Sequence, residues 1–289
     1  MTPIPPEPHF PSRYSRPSVA PSIARRVTTS DGAQIATFAY GAPTQEDTPV
    51  LMLHGNGEEH GIFGPIVDVV LEAGLWVVAI DSRAQGMSTR GSAPLTYELM
   101  ASDAVCALDA LGVSCAHVLG FSDGGIEALL LGRDWPERVA SITALGANLT
   151  PDGVIEDPSW DIEGFVGLNR KWSEYWHDFE NSNEAQTEGD VDITLLTPSP
   201  ATASQDAELL QLMLDEPHIE ASSLATICCP TCIMVGEHDC IDPRETCRIV
   251  NAIPGARLIT VPHIGHSLPK AAPDAVSAHL LATIMRATC

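Results

Sequence analysis

Gly120-Phe121-Ser122-Asp123-Gly124 stands between an apolar run, His117–Gly120, and a segment with helical spacing, Gly124–Gly132. A G-x-S-x-G sequence between a strand and a helix marks a sharp, strained turn that lifts a serine hydroxyl above a sheet. Residues two places either side of such a serine are forced close together, so only small ones fit, and both are glycine here. The helix that follows directs unpaired N–H groups at any negative charge developing beside the serine. A glycine-rich turn holding an incidental serine is the bland alternative, and the flanking sequence has to decide between them.

Outward from this turn, strands and helices alternate. Ile23–Thr29 and Gln34–Tyr40 form a predicted hairpin around Ser30-Asp31-Gly32, and Val50–Leu53 and the wholly apolar Leu75–Ile80 read as buried strands. Helices are expected over Phe63–Ala73 and Tyr97–Leu111, with a strand at Val139–Leu145. The alternation stops near residue 149 and resumes with Cys232–Val235 (strand), Arg244–Ala252 (helix), Arg257–Val261 (strand) and Asp274–Arg286 (helix). Such alternation predicts an α/β fold with a doubly wound, mostly parallel sheet. The core spans 23–148 and 223–289, behind a Pro-rich irregular arm at 1–22. The intervening 149–222 is a largely helical insertion with a flexible polar middle near Asn181–Asp190. It holds 17 acidic and 2 basic side chains, and Trp160, Trp172 and Trp176.

Three further segments carry chemistry. Val50–Leu53 runs into His54-Gly55-Asn56-Gly57, where the backbone N–H of Asn56 would join that of Asp123 to hold an oxyanion. The strand Ile233–Val235 leads to Gly236-Glu237-His238-Asp239, and Leu258–Val261 leads to Pro262-His263-Ile264-Gly265-His266-Ser267. A serine hydroxyl is a poor nucleophile at neutral pH. It needs an imidazole to take its proton and a carboxylate to hold the imidazole in one tautomer.

Composition narrows the partners. The 289 residues suit one large domain with an insertion, and the net charge of −23 repels nucleic acid and anionic membranes. No run approaches a membrane span, and Met1–Ser22 lacks the apolar stretch of a signal peptide, so a cytoplasmic protein is expected. Nothing points to a particular oligomeric state. Eight cysteines in such a chain read as reduced. Cys229-Pro-Thr-Cys232 is a solitary C-x-x-C that would need two more ligands to hold zinc.

Taken together, HGNG, DSRAQGMS, GFSDGG, GEHD and GHS resemble the α/β-hydrolase superfamily in its esterase and lipase-like branch, from about residue 23 onward. The resemblance implies a catalytic triad of Ser122, Asp239 and His266, and a cap over the pocket at 149–222. The turn Asp81–Ser88 looks like the family's D-x-R-G-x-G-x-S. Ala84 stands where glycine is usual, and the turn has no catalytic part. Asp239 is preferred to Asp242 as the first acid after its strand, and His266 to His263 for its Gly-His-Ser context. His54 would orient the oxyanion loop, and His238 would be a loop residue.

The expected reaction is hydrolysis of a small-molecule carboxylic ester or thioester through an acyl-Ser122 intermediate, with no cofactor or metal required. The same triad serves amidases, aminopeptidases and carbon–carbon bond hydrolases, and a non-catalytic ligand-binding member is the remaining reading. The tryptophans of the insertion either line the pocket or anchor the cap. Asp123 has two readings as well. The Ser-Asp-Gly-Gly run is similar to that of the biphenyl-hydrolase-like proteins, where this acid is associated with the α-amino group of amino-acid esters. Alternatively, a carboxylate in a first helical turn simply compensates the helix dipole.

Overall fold

The computed structural model describes residues 14–42, 48–155, 161–181, 187–188, 191–192 and 200–287. Eight strands form one sheet: β1 (Ile23–Thr28), β2 (Gln34–Tyr40), β3 (Val50–Leu53), β4 (Val77–Ile80), β5 (Ala116–Phe121), β6 (Val139–Leu145), β9 (Thr231–Gly236) and β10 (Arg257–Val261). The two-residue strands β7 (Thr187–Glu188) and β8 (Val191–Asp192) pair separately. The large sheet has the order β1-β2-β4-β3-β5-β6-β9-β10. Its β1–β2 and β2–β4 pairs are antiparallel and all later pairs parallel.

The apolar runs read as strands because both faces of the sheet are covered. In β3, Leu51 and Leu53 point into one core and Val50 and Met52 into the other, all four fully buried. Helices α2 (Tyr97–Leu111), α3 (Asp123–Asp134) and α6 (Pro243–Ala252) cover the first face. On the other lie α1 (Gly64–Glu72) and α8 (Pro273–Ala287), and the short α7 (Leu268–Ala271) precedes α8. Each fully buried aliphatic side chain contributes roughly 1.5–3 kcal/mol. Thr96 caps α2 by accepting from the Leu99 N–H, and Gly112 ends that helix at φ 72°.

The segment after β6 holds α4 (Ile162–Asn181) and α5 (Pro200–Asp215), which pack together. Arg170 of α4 donates to Gln211 of α5, and Leu212 joins the core beneath. Most of the polar middle near Asn181–Asp190 lies outside the described residues. Of the N-terminal arm, residues 14–22 are described and take no regular structure. Tyr14 and Arg16 both donate to Glu59, and Ser18 bonds Asp68 of α1. No helix among the described residues is long and apolar enough to cross a membrane.

Candidate active site

Four parallel strands end on the same edge of the sheet, and each delivers one part of the site. The loop 54–57 follows β3, Ser122 follows β5, Asp239 follows β9, and His266 follows β10. Ser122 sits at φ 53° and ψ −114°, a left-handed conformation that costs energy for any residue with a β-carbon. Its N–H donates to the Leu145 carbonyl and its carbonyl accepts from Gly125 and Ile126, which fix the turn. The glycine requirement is steric. A β-carbon on Gly120 would stand 1.9 Å from the Gly124 carbonyl oxygen, and one on Gly124 would stand 2.1 Å from that of Leu53.

His266 Nε2 lies 3.0 Å from Ser122 Oγ, and its Nδ1 lies 2.7 Å from Asp239 Oδ1. The Asp239 carboxylate also accepts from the Ile241 and Gly236 N–H groups. Burial works against the ionised carboxyl of Asp239, but the hydrogen bond and charge of His266 outweigh it and hold the group below its ordinary range. Burial likewise opposes the imidazolium of His266, but its hydrogen bonds to Asp239 and Cys240 raise the pKa above the ordinary histidine value.

The neighbouring acid and histidines lie elsewhere. Asp242 caps α6 by accepting from the Arg244 N–H and pairs with the Arg244 guanidinium. His263 and His238 are exposed beside Glu237, and Glu237 accepts from the His263 N–H. His54 is fully buried. The Ser82 N–H donates to its Nε2, so its proton is on Nδ1, which donates to the Gly55 carbonyl. Burial depresses its pKa and keeps it neutral, and its two bonds join the loop to the Asp81–Ser88 turn.

That loop runs against the serine: a β-carbon on Gly55 would stand 3.0 Å from Ser122 Cβ. Among the described residues, no acceptor engages the backbone N–H of Asn56 or of Asp123. Two free donors beside an activated hydroxyl can receive a developing oxyanion. The Gly57 N–H is held by Gln85 Oε1 at 2.6 Å, so the Asp81–Ser88 turn supports the loop. In that turn Ala84 lies at φ 64°, which explains the usual glycine and costs an alanine roughly 1–2 kcal/mol. Arg83, fully buried, bridges Asp103 and Asp31 and faces away from the serine chemistry.

A cavity of about 320 Å³ opens over Ser122, lined on its apolar side by Phe121, Val154, Ile155, Met213 and Ile241. Asn56, Glu58, Asp123 and Glu216 supply its polar side. Glu58 is paired with Lys270 of α7. Asp123 is 2% exposed, with Oδ1 accepting from Tyr97 Oη and Oδ2 from Asn56 Nδ2, both at 2.9 Å. Both carboxylate oxygens are therefore already engaged within the protein, which reduces Asp123's capacity to receive a substrate amine. Trp172 does not line this cavity; it is buried in α4 and stacks on Tyr175, because α4 turns its apolar face to α5. Trp160 and the side chain of Trp176 lie outside the described residues.

Tyr97, Glu58 and Glu216 went unnoticed in the sequence. Tyr97 reads there only as the first residue of a helix, and no spacing links it to residue 123. Three groups of potential metal ligands occur among the described residues: Glu237, His238 and His263; Asp239, Cys240 and His266; Glu59, His60 and Asp81. The last two are already hydrogen bonded internally, through His266–Asp239 and His60–Asp81, both at 2.7 Å. Cys229 and Cys232 are free thiols whose pKa burial raises, which disfavours the reactive thiolate.

The sequence model of a family described as "alpha/beta hydrolase fold" matches residues 48–270. A Caulobacter sp. (strain K31) protein named "Putative carbamate hydrolase RutD" is 27% identical over 258 residues, 84% of this chain and 92% of its own. "Rhodomycin D methylesterase DauP" of Streptomyces sp. (strain C5) is 25% identical over 298 aligned positions, 91% of this chain and 99% of its own. A hydrolase from Pseudomonas aeruginosa PA01 shares the fold with a TM-score of 0.69 at 22% identity, covering 91% of this chain and 98% of that one.

Proposed function

The chain belongs to the α/β hydrolase fold family and is a hydrolase; from that premise we propose that it cleaves a small-molecule carboxylic ester by acyl transfer to Ser122. The observation that carries this reading is the continuous hydrogen-bonded line from Ser122 Oγ through His266 to Asp239. His266 Nε2 takes the hydroxyl proton as Oγ attacks the ester carbonyl. The carbonyl oxygen becomes an oxyanion facing the N–H groups of Asn56 and Asp123. His266 then gives its proton to the departing alcohol oxygen as the C–O bond breaks, which leaves acyl-Ser122. Water loses a proton to His266, attacks the acyl carbon, and releases the acid while the proton returns to Oγ. Asp239 keeps the imidazole in the Nδ1–H tautomer and supports its charge during both steps.

Residues 149–222 serve as the cap in this reading. Its support is that Val154, Ile155, Met213 and Glu216 line the cavity and that the Leu209 carbonyl of α5 accepts from Asn56. The apolar wall suits an acyl or alkyl group, and the relative named as a methylesterase fits an ester better than an amide. The relative named as a carbamate hydrolase makes the carbamate the natural competitor. Initial rates on an ester, thioester, amide and carbamate that share one acyl group decide the class. The ester is expected to have the highest kcat/KM, and faster turnover of the amide or carbamate would overturn the assignment.

A further inference from the structure

The side chain of Asn56 makes two hydrogen bonds. Its Nδ2 donates to Asp123 Oδ2 at 2.9 Å and to the Leu209 carbonyl of α5 at 3.0 Å. Both partners can only accept, so the amide cannot be turned over, and Oδ1 is left buried with no partner. An unpaired buried amide oxygen is destabilising, and an apolar residue of similar size would avoid it. What the amide supplies in return is two directed side-chain tethers on a loop whose backbone is joined to the nucleophile turn by one bond, from the Gly124 N–H to the His54 carbonyl.

Asp123 is held just as firmly. Tyr97, fully buried in the first turn of α2, donates to Oδ1, and Asn56 occupies Oδ2. Among the described residues, no lysine or arginine faces the carboxylate. The titratable groups around it are Tyr97, Glu127 one turn further along α3, and His266. Burial pushes Asp123 up to about 6, with the two hydrogen bonds and the His266 charge pulling the other way. A carboxylate kept in such a place without a cation is justified by geometry: it has two separate acceptor oxygens aimed at two different elements, which neither asparagine nor leucine can offer.

The two residues joined by this bond are those whose backbone N–H groups are free beside Ser122. We propose that the Asp123 side chain is a positioning residue that sets the oxyanion site by clamping Asn56, with Tyr97 as its anchor and α5 as the second tether. This bond braces the spacing of the two donors alongside the backbone bond from the Gly124 N–H to the His54 carbonyl, and the bond to Leu209 ties that spacing to the seating of α5. The proposal rests on the acyl-serine reading. It assigns Asp123 a role different from amine recognition, since its oxygens are committed to the protein.

A double-mutant cycle with Asn56→Ala and Asp123→Ala tests it, using kcat and KM on an uncharged ester and the stoichiometry of fluorophosphonate labelling. Each single variant should lose about 10- to 100-fold in kcat, less than the loss of a whole oxyanion donor, with KM within about threefold of wild type. The double variant should be no worse than the weaker single by more than about threefold, because one bond is lost in all three. Labelling should still reach one per chain, only more slowly. Multiplying losses, an unchanged kcat, or a raised KM with kcat intact would overturn the proposal, the last in favour of direct substrate contact. Absence of labelling in wild type would instead overturn the serine reading. If Asp123→Ala does not fold, Tyr97→Phe replaces it in the same cycle with a smaller expected loss, and additivity with Asn56→Ala again overturns the clamp.

Discussion

Gly146 leaves no room for a methyl group beside His266: a β-carbon there would stand 2.7 Å from the imidazole Cε1 and 2.9 Å from Nδ1. The glycine follows β6, at φ 59°, and its N–H donates to the Met234 carbonyl of β9. It forms the wall that keeps the ring between Asp239 and Ser122. Gly146→Ala should therefore push the imidazole off its line and lower kcat by about 100-fold, the scale on which a misplacement near 1 Å acts. Circular dichroism should show a folded protein. Activity within about threefold of wild type would mean that the ring has slack the geometry does not suggest.

The two acids after β9 should separate cleanly. Asp239→Asn should lose about 10⁴-fold in kcat, because the amide favours the wrong imidazole tautomer. Asp242→Asn keeps an N-cap oxygen for α6, loses only the exposed pairing with Arg244, and should leave kcat unchanged. Asp239 raises the His266 pKa, and the neutral imidazole is the active form, so activity falls as the imidazole takes up a proton. Removing the carboxylate lowers the pKa. The acid limb of the residual kcat/KM profile in Asp239→Asn should then lie at lower pH than in wild type, and a limb moved to higher pH would contradict the pairing.

Much of this was legible beforehand. Continuous apolar runs such as Leu75–Ile80 read as strands because parallel strands are buried on both faces, and the spacing around Ser122 read as a turn because its glycine rule is local. Asp239 stood out as the first acid after its strand, and His266 through its Gly-His-Ser context. What stayed hidden depends on contacts between distant segments. Tyr97 reaches Asp123 across 26 residues, and Asn56 reaches Leu209 across 153. No periodicity encodes either bond. Trp172 shows the opposite limit: an aromatic residue in a polar insertion suggests a pocket as readily as a helix–helix contact, and only packing decides.

His117 makes stability depend on pH. It lies in β5, 3% exposed, with Nδ1 bonded to Ser141 Oγ at 2.8 Å. Burial pushes its pKa from 6.5 to about 4. Between those values the unfolded chain binds a proton that the folded chain does not, so stability from this group falls as pH drops and is flat above 6.5. The loss between pH 7 and pH 5 is about 2 kcal/mol. Urea unfolding of His117→Gln should show a smaller pH 7 to pH 5 difference than wild type by about that amount. Equal differences would mean that His117 titrates normally in the folded state.

The two kinds of apolar residue in the cap segment should behave differently. Trp172→Ala empties a buried site between α4 and its neighbours and should cost about 3–5 kcal/mol, with the ranking of acyl chain lengths unchanged. Met213→Ala enlarges the cavity wall and should shift that ranking toward longer chains, at smaller cost in stability. Thermal unfolding together with a series of straight-chain esters reads both. A changed ranking in Trp172→Ala alone would place the tryptophan in the binding surface after all.

The identity of the nucleophile is tested most directly by covalent capture. Wild-type protein treated with a fluorophosphonate should gain the mass of one adduct, and the modified peptide should contain Ser122, whose Oγ lies 3.0 Å from His266 Nε2. Ser122→Ala should fold, gain no adduct, and retain only the small residual rate that the oxyanion donors and binding supply. An adduct on any other residue, or turnover by Ser122→Ala at the wild-type rate, would contradict the account.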